Sequence, residues 1–140
     1  PTPETKNYSR GESVALPTSS VVADNLFTST EYAGVATENN IYTDQTGTDD
    51  YSIFLFKDKG NASSDEIHVS WTGQTNVAPS TSTVYLQIYN INSATWETFD
   101  SDSATGANTN FTLTGDVINN QAYYYDNNLW VTCRIYQLAA

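Results

Sequence analysis

The side chains that could do chemistry here are one histidine, one cysteine, a scatter of loop carboxylates and many aromatics: ten Tyr, five Phe and three Trp. His68 lies within EIHVSW, where alternation puts Ile67, Val69 and Trp71 on one face and Glu66, His68 and Ser70 on the other. A general base or a metal ligand needs a partner at a defined position, and nothing near His68 in the chain supplies one. It reads as a solvent-facing strand histidine. Cys133, inside LWVTCRIYQL, reads as a small buried hydrophobe, and a lone cysteine can form no intrachain disulfide. No nucleophile elbow, zinc-protease helix, phosphate-binding loop or paired-cysteine motif occurs. The expectation is a protein that is not an enzyme.

The carboxylates gather in polar loops: Asp44 with Asp49 and Asp50, Asp100 with Asp102, and Asp126 with Asn127 and Asn128. Ca²⁺ takes about six to eight oxygens from such groups, so a structural Ca²⁺ is the one cofactor these loops suggest, with Asp44, Asp49 and Asp50 the favoured ligands. Asx residues equally serve the backbone hydrogen bonds of turns. The aromatics suggest sugar stacking, which needs an exposed ring face with amides or carboxylates beside it. Tyr85, Gln87 and Tyr89 share one strand face, and Tyr85, Tyr89, Trp130 and Tyr136 are the candidate glycan-stacking residues. Trp96 and the run Tyr123, Tyr124, Tyr125 could widen that surface. A sandwich core also wants aromatics, and one face of each strand must be buried.

Sixteen acidic against five basic residues give a formal net charge of −11. That field repels nucleic acid and an anionic membrane surface. No uninterrupted apolar run approaches the ~18 residues that a membrane span needs, so no membrane insertion is expected. The sequons at Asn7, Asn61 and Asn110 suit an exported glycoprotein. The opening PTPET, without an initiator Met, looks like a processed N-terminus. Together these features place the chain outside the cell or at its surface.

What would position these residues is a set of strands. YSIFLFK (51–57) is apolar on both faces, as a central strand is, and EIHVSW (66–71) alternates as a half-buried one does. Residues 84–99 read as a hairpin around the turn INSA, and FTLTGDVI (111–118) as a further strand. In LWVTCRIYQL, Leu129, Val131, Cys133 and Ile135 alternate with Trp130, Thr132, Arg134 and Tyr136. Shorter strands are expected near 21–28 and at Ile41–Tyr42. About eight short strands with no helical period predict an all-β antiparallel sandwich, jelly-roll-like, with an immunoglobulin-like topology as the alternative.

At the hairpin VYLQIYNINSATWETF, followed by FTLTGDVINN, YYYDNN and LWVTCRIYQ, the chain resembles exported jelly-roll-like β-sandwich modules of bacterial and archaeal cell-surface proteins. In these a strand ending in Tyr-Asn turns into one opening with Trp-Glu. The resemblance spans residues 40–138 and implies a role in adhesion, glycan binding or assembly. It carries no catalytic residue.

Residues 1–20, polar and holding Pro1, Pro3 and Pro17, read as an extended arm or linker before a sandwich domain over 21–140. Only Val14 and Leu16 alternate there. A polar terminus is usually disordered unless it docks, and adding as a strand to a neighbour's sheet would fix it. The favoured expectation is a secreted structural subunit that polymerises with copies of itself into a pilus-like surface filament, with Val14 and Leu16 in the donated strand. The alternative is a carbohydrate-binding or adhesion module.

Overall fold

A strand that is apolar on both faces needs neighbours on each side and cover above and below, and the architecture answers that need for YSIFLFK. The computed structural model describes residues 6–20, 25–35 and 50–138. In chain order its elements are β1 (Lys6–Ser13), β2 (Asn25–Leu26), α1 (Ser29–Val35), β3 (Tyr51–Lys59), β4 (Ile67–Gly73), β5 (Val84–Asn90), β6 (Thr95–Asp102), β7 (Phe111–Val117), a 3-10 turn at Gln121–Tyr123, and β8 (Trp130–Leu138). They form a six-stranded sheet in the order β2-β1-β3-β8-β5-β6 and a two-stranded sheet β4-β7. All pairings are antiparallel. No helix among the described residues is long and apolar enough to cross a membrane.

Strand pairs β3·β8, β4·β7 and β5·β6 nest inside one another along the chain. That winding is the jelly-roll pattern, so the chain forms the expected all-β sandwich. The core lies between the sheets, where Val84, Leu86 and Ile88 of β5 and Cys133 and Ile135 of β8 meet Ile67, Leu113 and Val117. Cys133 is buried there, and burial pushes its thiol pKa well up. The β5·β6 register slips after Leu86, which leaves Phe99 as an extra residue between Asp100 and Thr98. Its ring takes the space a side chain would fill at Gly115 of β7: a Cβ there would stand 2.1 Å from Phe99 Cγ. The bulge and the glycine are one packing device.

The two-stranded sheet covers only part of the larger one. Over β1 and β3 the cover comes from the N-terminal residues, where Phe27 and Tyr32 pack edge-on or tilted against Tyr8 with ring centroids 5.7 and 5.3 Å apart. Phe27 also meets Phe54 and Phe56. Helix α1 starts on a reciprocal cap, with Glu31 N–H donating to Thr28 Oγ1 and Thr28 N–H donating to Glu31 Oε1. Glu31 also takes Arg10 Nε at 2.8 Å, which ties the helix to β1; against the upward pull of burial, the Thr28 N–H and then Arg10 hold the Glu31 carboxyl below its ordinary range.

Three expectations need correction or relocation. Residues 6–20 of the expected arm are not free, because Lys6–Ser13 pairs along its whole length with β3 of the same chain. Val14 and Leu16 lie outside any strand, Val14 within and Leu16 just past a bend at which Ser13 Oγ donates to Ala15 O. The physical reason is that β1 turns small residues to its tightly covered side, Ser9 and Gly11 being buried, so an apolar count overlooks it. Of the strand expected near 21–28 only Asn25–Leu26 is seen, residues 21–24 and the expected strand at Ile41–Tyr42 lying outside the described residues.

Gly115→Ala should cost roughly 1–3 kcal/mol by forcing the Phe99 ring aside. Urea unfolding measures it, and adding Phe99→Leu should recover part of the loss.

Candidate functional site

The larger sheet has a second face, turned away from β4 and β7, and most of the candidate binding residues lie on it. β-Strand alternation sends Trp130, Thr132, Arg134 and Tyr136 of β8 to this side, beside Tyr85, Gln87 and Tyr89 of β5. Register sets Tyr85 directly opposite Tyr136, and Tyr51 lies diagonal to Tyr136 on the next strand, opposite Leu138. Tyr85 stacks on Tyr136 with centroids 5.1 Å apart, and Tyr51 meets Tyr136 edge-on at 5.8 Å. Tyr89 contacts Trp96 of β6 at 5.1 Å. The four glycan-stacking candidates, Tyr85, Tyr89, Trp130 and Tyr136, therefore share a face, and each is half-buried.

Between the tyrosine row and Trp96 sits Arg134, only 3% exposed. Its guanidinium carbon lies 4.0 Å from the Trp96 ring centroid and 5.2 Å from that of Tyr136. Its Nε donates to Gln87 Oε1 at 2.9 Å, and Gln87 Nε2 donates onward to Thr98 Oγ1. No carboxylate pairs with Arg134 among the described residues. Burial pushes its pKa down to about 10, against a small upward pull from Tyr136, so it stays charged at neutral pH.

The remaining partners of Arg134 and Trp96 come from the N-terminal segment. Arg134 Nη1 donates to Pro17 O at 2.6 Å, and Trp96 Nε1 donates to Ser19 O at 3.3 Å. After β1 the chain thus crosses the sheet as a strap, from β3 past β8 to β6. Leu16 is half-buried in it, while Val14 is 82% exposed. The strap was not foreseen; the only sequence cue was Pro17, which ends the short apolar alternation.

The other candidates lie apart. Asp44 and Asp49 fall outside the described residues, and Asp50 lies in the bend before β3. The other loop carboxylates are engaged with backbone: Asp102 with the N–H groups of Ala104 and Thr105, Asp126 with those of Asn128 and Trp130, and Asp100 with that of Thr114. Among the described residues no group of three or more His, Cys, Asp or Glu is arranged to hold a metal. Asn61 and Asn110 are exposed, whereas Asn7 is half-buried in β1. His68 faces solvent, as expected, with Nδ1 2.6 Å from Asp116 and Nε2 3.2 Å from Glu66.

One family model matches residues 5–139, described as AF_1625_C, "Uncharacterized protein, C-terminal domain". No curated protein and no solved structure matches the chain.

Two outcomes follow from this geometry. Arg134→Lys keeps the charge but loses the planar fork that reaches Gln87, Pro17 and Trp96 together, so it should cost roughly 1–3 kcal/mol in urea unfolding and alter Trp96 fluorescence as the strap loosens. The hydrogen bonds that Asp116 and then Glu66 accept from the imidazole raise the His68 pKa above 6.5. The stability His68 contributes is therefore full below about 6.5 and is lost as pH rises through the raised value. Asp116→Asn should lower the His68 midpoint in an NMR titration.

Proposed function

This chain belongs to the AF_1625_C family of C-terminal domains, and from that premise we propose that it is an extracellular structural subunit that polymerises with copies of itself by exchanging its N-terminal segment. The observation that carries this reading is topological. The nested pairs β3·β8, β4·β7 and β5·β6 complete the jelly-roll winding without the residues before β3. What precedes β3 is an added edge piece. In it β1, β2 and α1 hold one another through Phe27 N–H to Tyr8 O, Tyr8 N–H to Tyr32 Oη, and the Arg10–Glu31 pair.

Such a piece can leave its own sheet and dock on an identical neighbour without any new chemistry, which makes exchange a low-cost route to assembly. Peeling it away would bare the edge of β3 and leave Arg134 buried without Pro17 O, so each vacated sheet demands a replacement with the same contacts. Only another copy offers them. Residues 36–49 join the piece to β3 in the chain. Exposed sequons at Asn61 and Asn110 and the net charge of −11 suit a surface location. Sugar binding draws less support from the same face, since its rings pack on one another and on Arg134 beside the strap.

The test is a cross-link across the β1·β3 register. Asn7 stands directly opposite Lys57, so Asn7→Cys/Lys57→Cys meets the ~4.4–6.8 Å Cα separation a disulfide needs. Exchange predicts disulfide-linked ladders on a non-reducing gel after assembly at high protein concentration. A cross-link confined to single chains, in a protein that stays monomeric at every concentration, would sink the proposal.

A further inference from the structure

We propose that the outer edge of β4 is a second self-association surface, at which β4 of one copy pairs antiparallel with β4 of another about a twofold axis at Ser70. It stands independently of the exchange of the N-terminal segment.

The direction of the free edge follows from a single hydrogen bond. Thr114 N–H donates to Asp100 Oδ2 at 3.1 Å, so it points away from β4 toward β6. Thr114 is the register partner of Ser70. In an antiparallel ladder, when one residue of a directly opposite pair turns its backbone groups outward, so does the other, and the pattern alternates along the strand. The N–H and C=O of Ser70, and with it those of His68 and Thr72, therefore point out of the sheet at β4. Among the described residues none of these groups has a backbone partner.

Among the described residues the other edges are guarded and this one is not. β7 spends Thr114 N–H on Asp100, and β6 carries the Phe99 bulge with Glu97, Asp100 and Asp102. β2 is two residues long. By contrast β4 runs seven residues in unbroken register with β7, with no proline, lysine, arginine or carboxylate. Long, flat, uncharged edges are the ones that accept another strand.

Self-complementarity names the occupant. A twofold at Ser70 sets Ser70 against its own copy and His68 against the partner copy's Thr72, so every outward N–H and C=O of these residues meets its complement. In a chain of net charge −11, this register brings two copies together along strands that carry no carboxylate of their own, Glu66 preceding β4 and Asp116 lying on β7. On the inner face, Val69 and Trp71 pack against the core yet stay only half-buried at this edge. The same register places Trp71 of one copy beside Val69 of the other, which extends the cover of both.

Two variants test it. Ser70→Cys should form an interchain disulfide under mild oxidation at least about tenfold faster than Thr114→Cys, a control on the same sheet face one strand further from the axis. In a background where the intrachain Asn7→Cys/Lys57→Cys disulfide keeps the segment on its own sheet, Ser70→Lys puts a charge on the exposed strand and should reduce the mass in sedimentation equilibrium from twice the 15.4 kDa chain mass to the chain mass, with the circular dichroism spectrum unchanged. Equal cross-linking rates at Ser70 and Thr114, or an unaltered mass for Ser70→Lys, would overturn it. So would a wild-type protein that is monomeric at millimolar concentration. Because the Asn7/Lys57 cross-link reports segment exchange alone, each self-contact can fail without the other.

Discussion

Everything in this fold turns on a sheet that needs cover on both faces while the second sheet supplies cover for part of one. β3 sends Phe54 and Phe56 to one side and Ile53 and Leu55 to the other, and the latter two are 5% and 4% exposed. β8 does likewise, with Cys133 and Ile135 inward and Thr132 and Arg134 outward, all buried. A two-stranded layer cannot satisfy both demands. The N-terminal residues answer for the rest: Phe27 and Tyr32 over β1 and β3 on the inner side, and the strap with Pro17 and Ser19 on the outer. The N-terminal segment thus helps to close both layers, through backbone carbonyls and a few rings.

Polar chemistry follows the same division of labour. In a strongly acidic chain the buried cation on the outer face, Arg134, is held by an amide, a carbonyl and two rings. Those partners satisfy the donors and attract the charge without bringing a second ion into the sheet, which avoids the desolvation of a buried pair. Carboxylates, meanwhile, hold turns and edges. Asp102 and Asp126 organise the loops after β6 and before β8. Glu97 receives Asn90 Nδ2 and Tyr124 Oη, the latter at 2.5 Å, which pushes the Tyr124 pKa up to about 12. Much of the acidity of the loops is thus turn and edge chemistry.

Strands β3, β4, β5, β7 and β8 were readable because their alternation is carried by large apolar side chains, and alternation is a local property. The winding of the sandwich was readable from strand number and turn spacing. β1 was not, since its buried side is Ser9 and Gly11, which hydropathy scores as surface. Helix α1 was missed because seven residues are too few for a period to show, although Thr28 and Glu31 stand at the spacing of a reciprocal cap. For the candidate site, period two correctly put Tyr85 with Tyr89 and Trp130 with Tyr136. Their meeting across strands was not readable, because register between β5 and β8 is set by the whole sheet. Arg134 was visible as a neighbour of Tyr136, but its burial depends on a strap more than a hundred residues earlier in the chain.

That separation bears on how the domain can behave as a unit. Contacts between β1 and β3, and between Pro17 and Arg134, join positions far apart in sequence but make no use of the nested winding that defines the jelly roll. Closing such long loops costs entropy that grows only slowly with length, so supplying the same segment from a neighbouring chain differs little in contact energy from supplying it in the same chain. What distinguishes the two is concentration, as in any exchange between identical partners. Under the proposed exchange, a sheet whose outer face is finished by a distant, polar segment can be completed from either side of a molecular boundary.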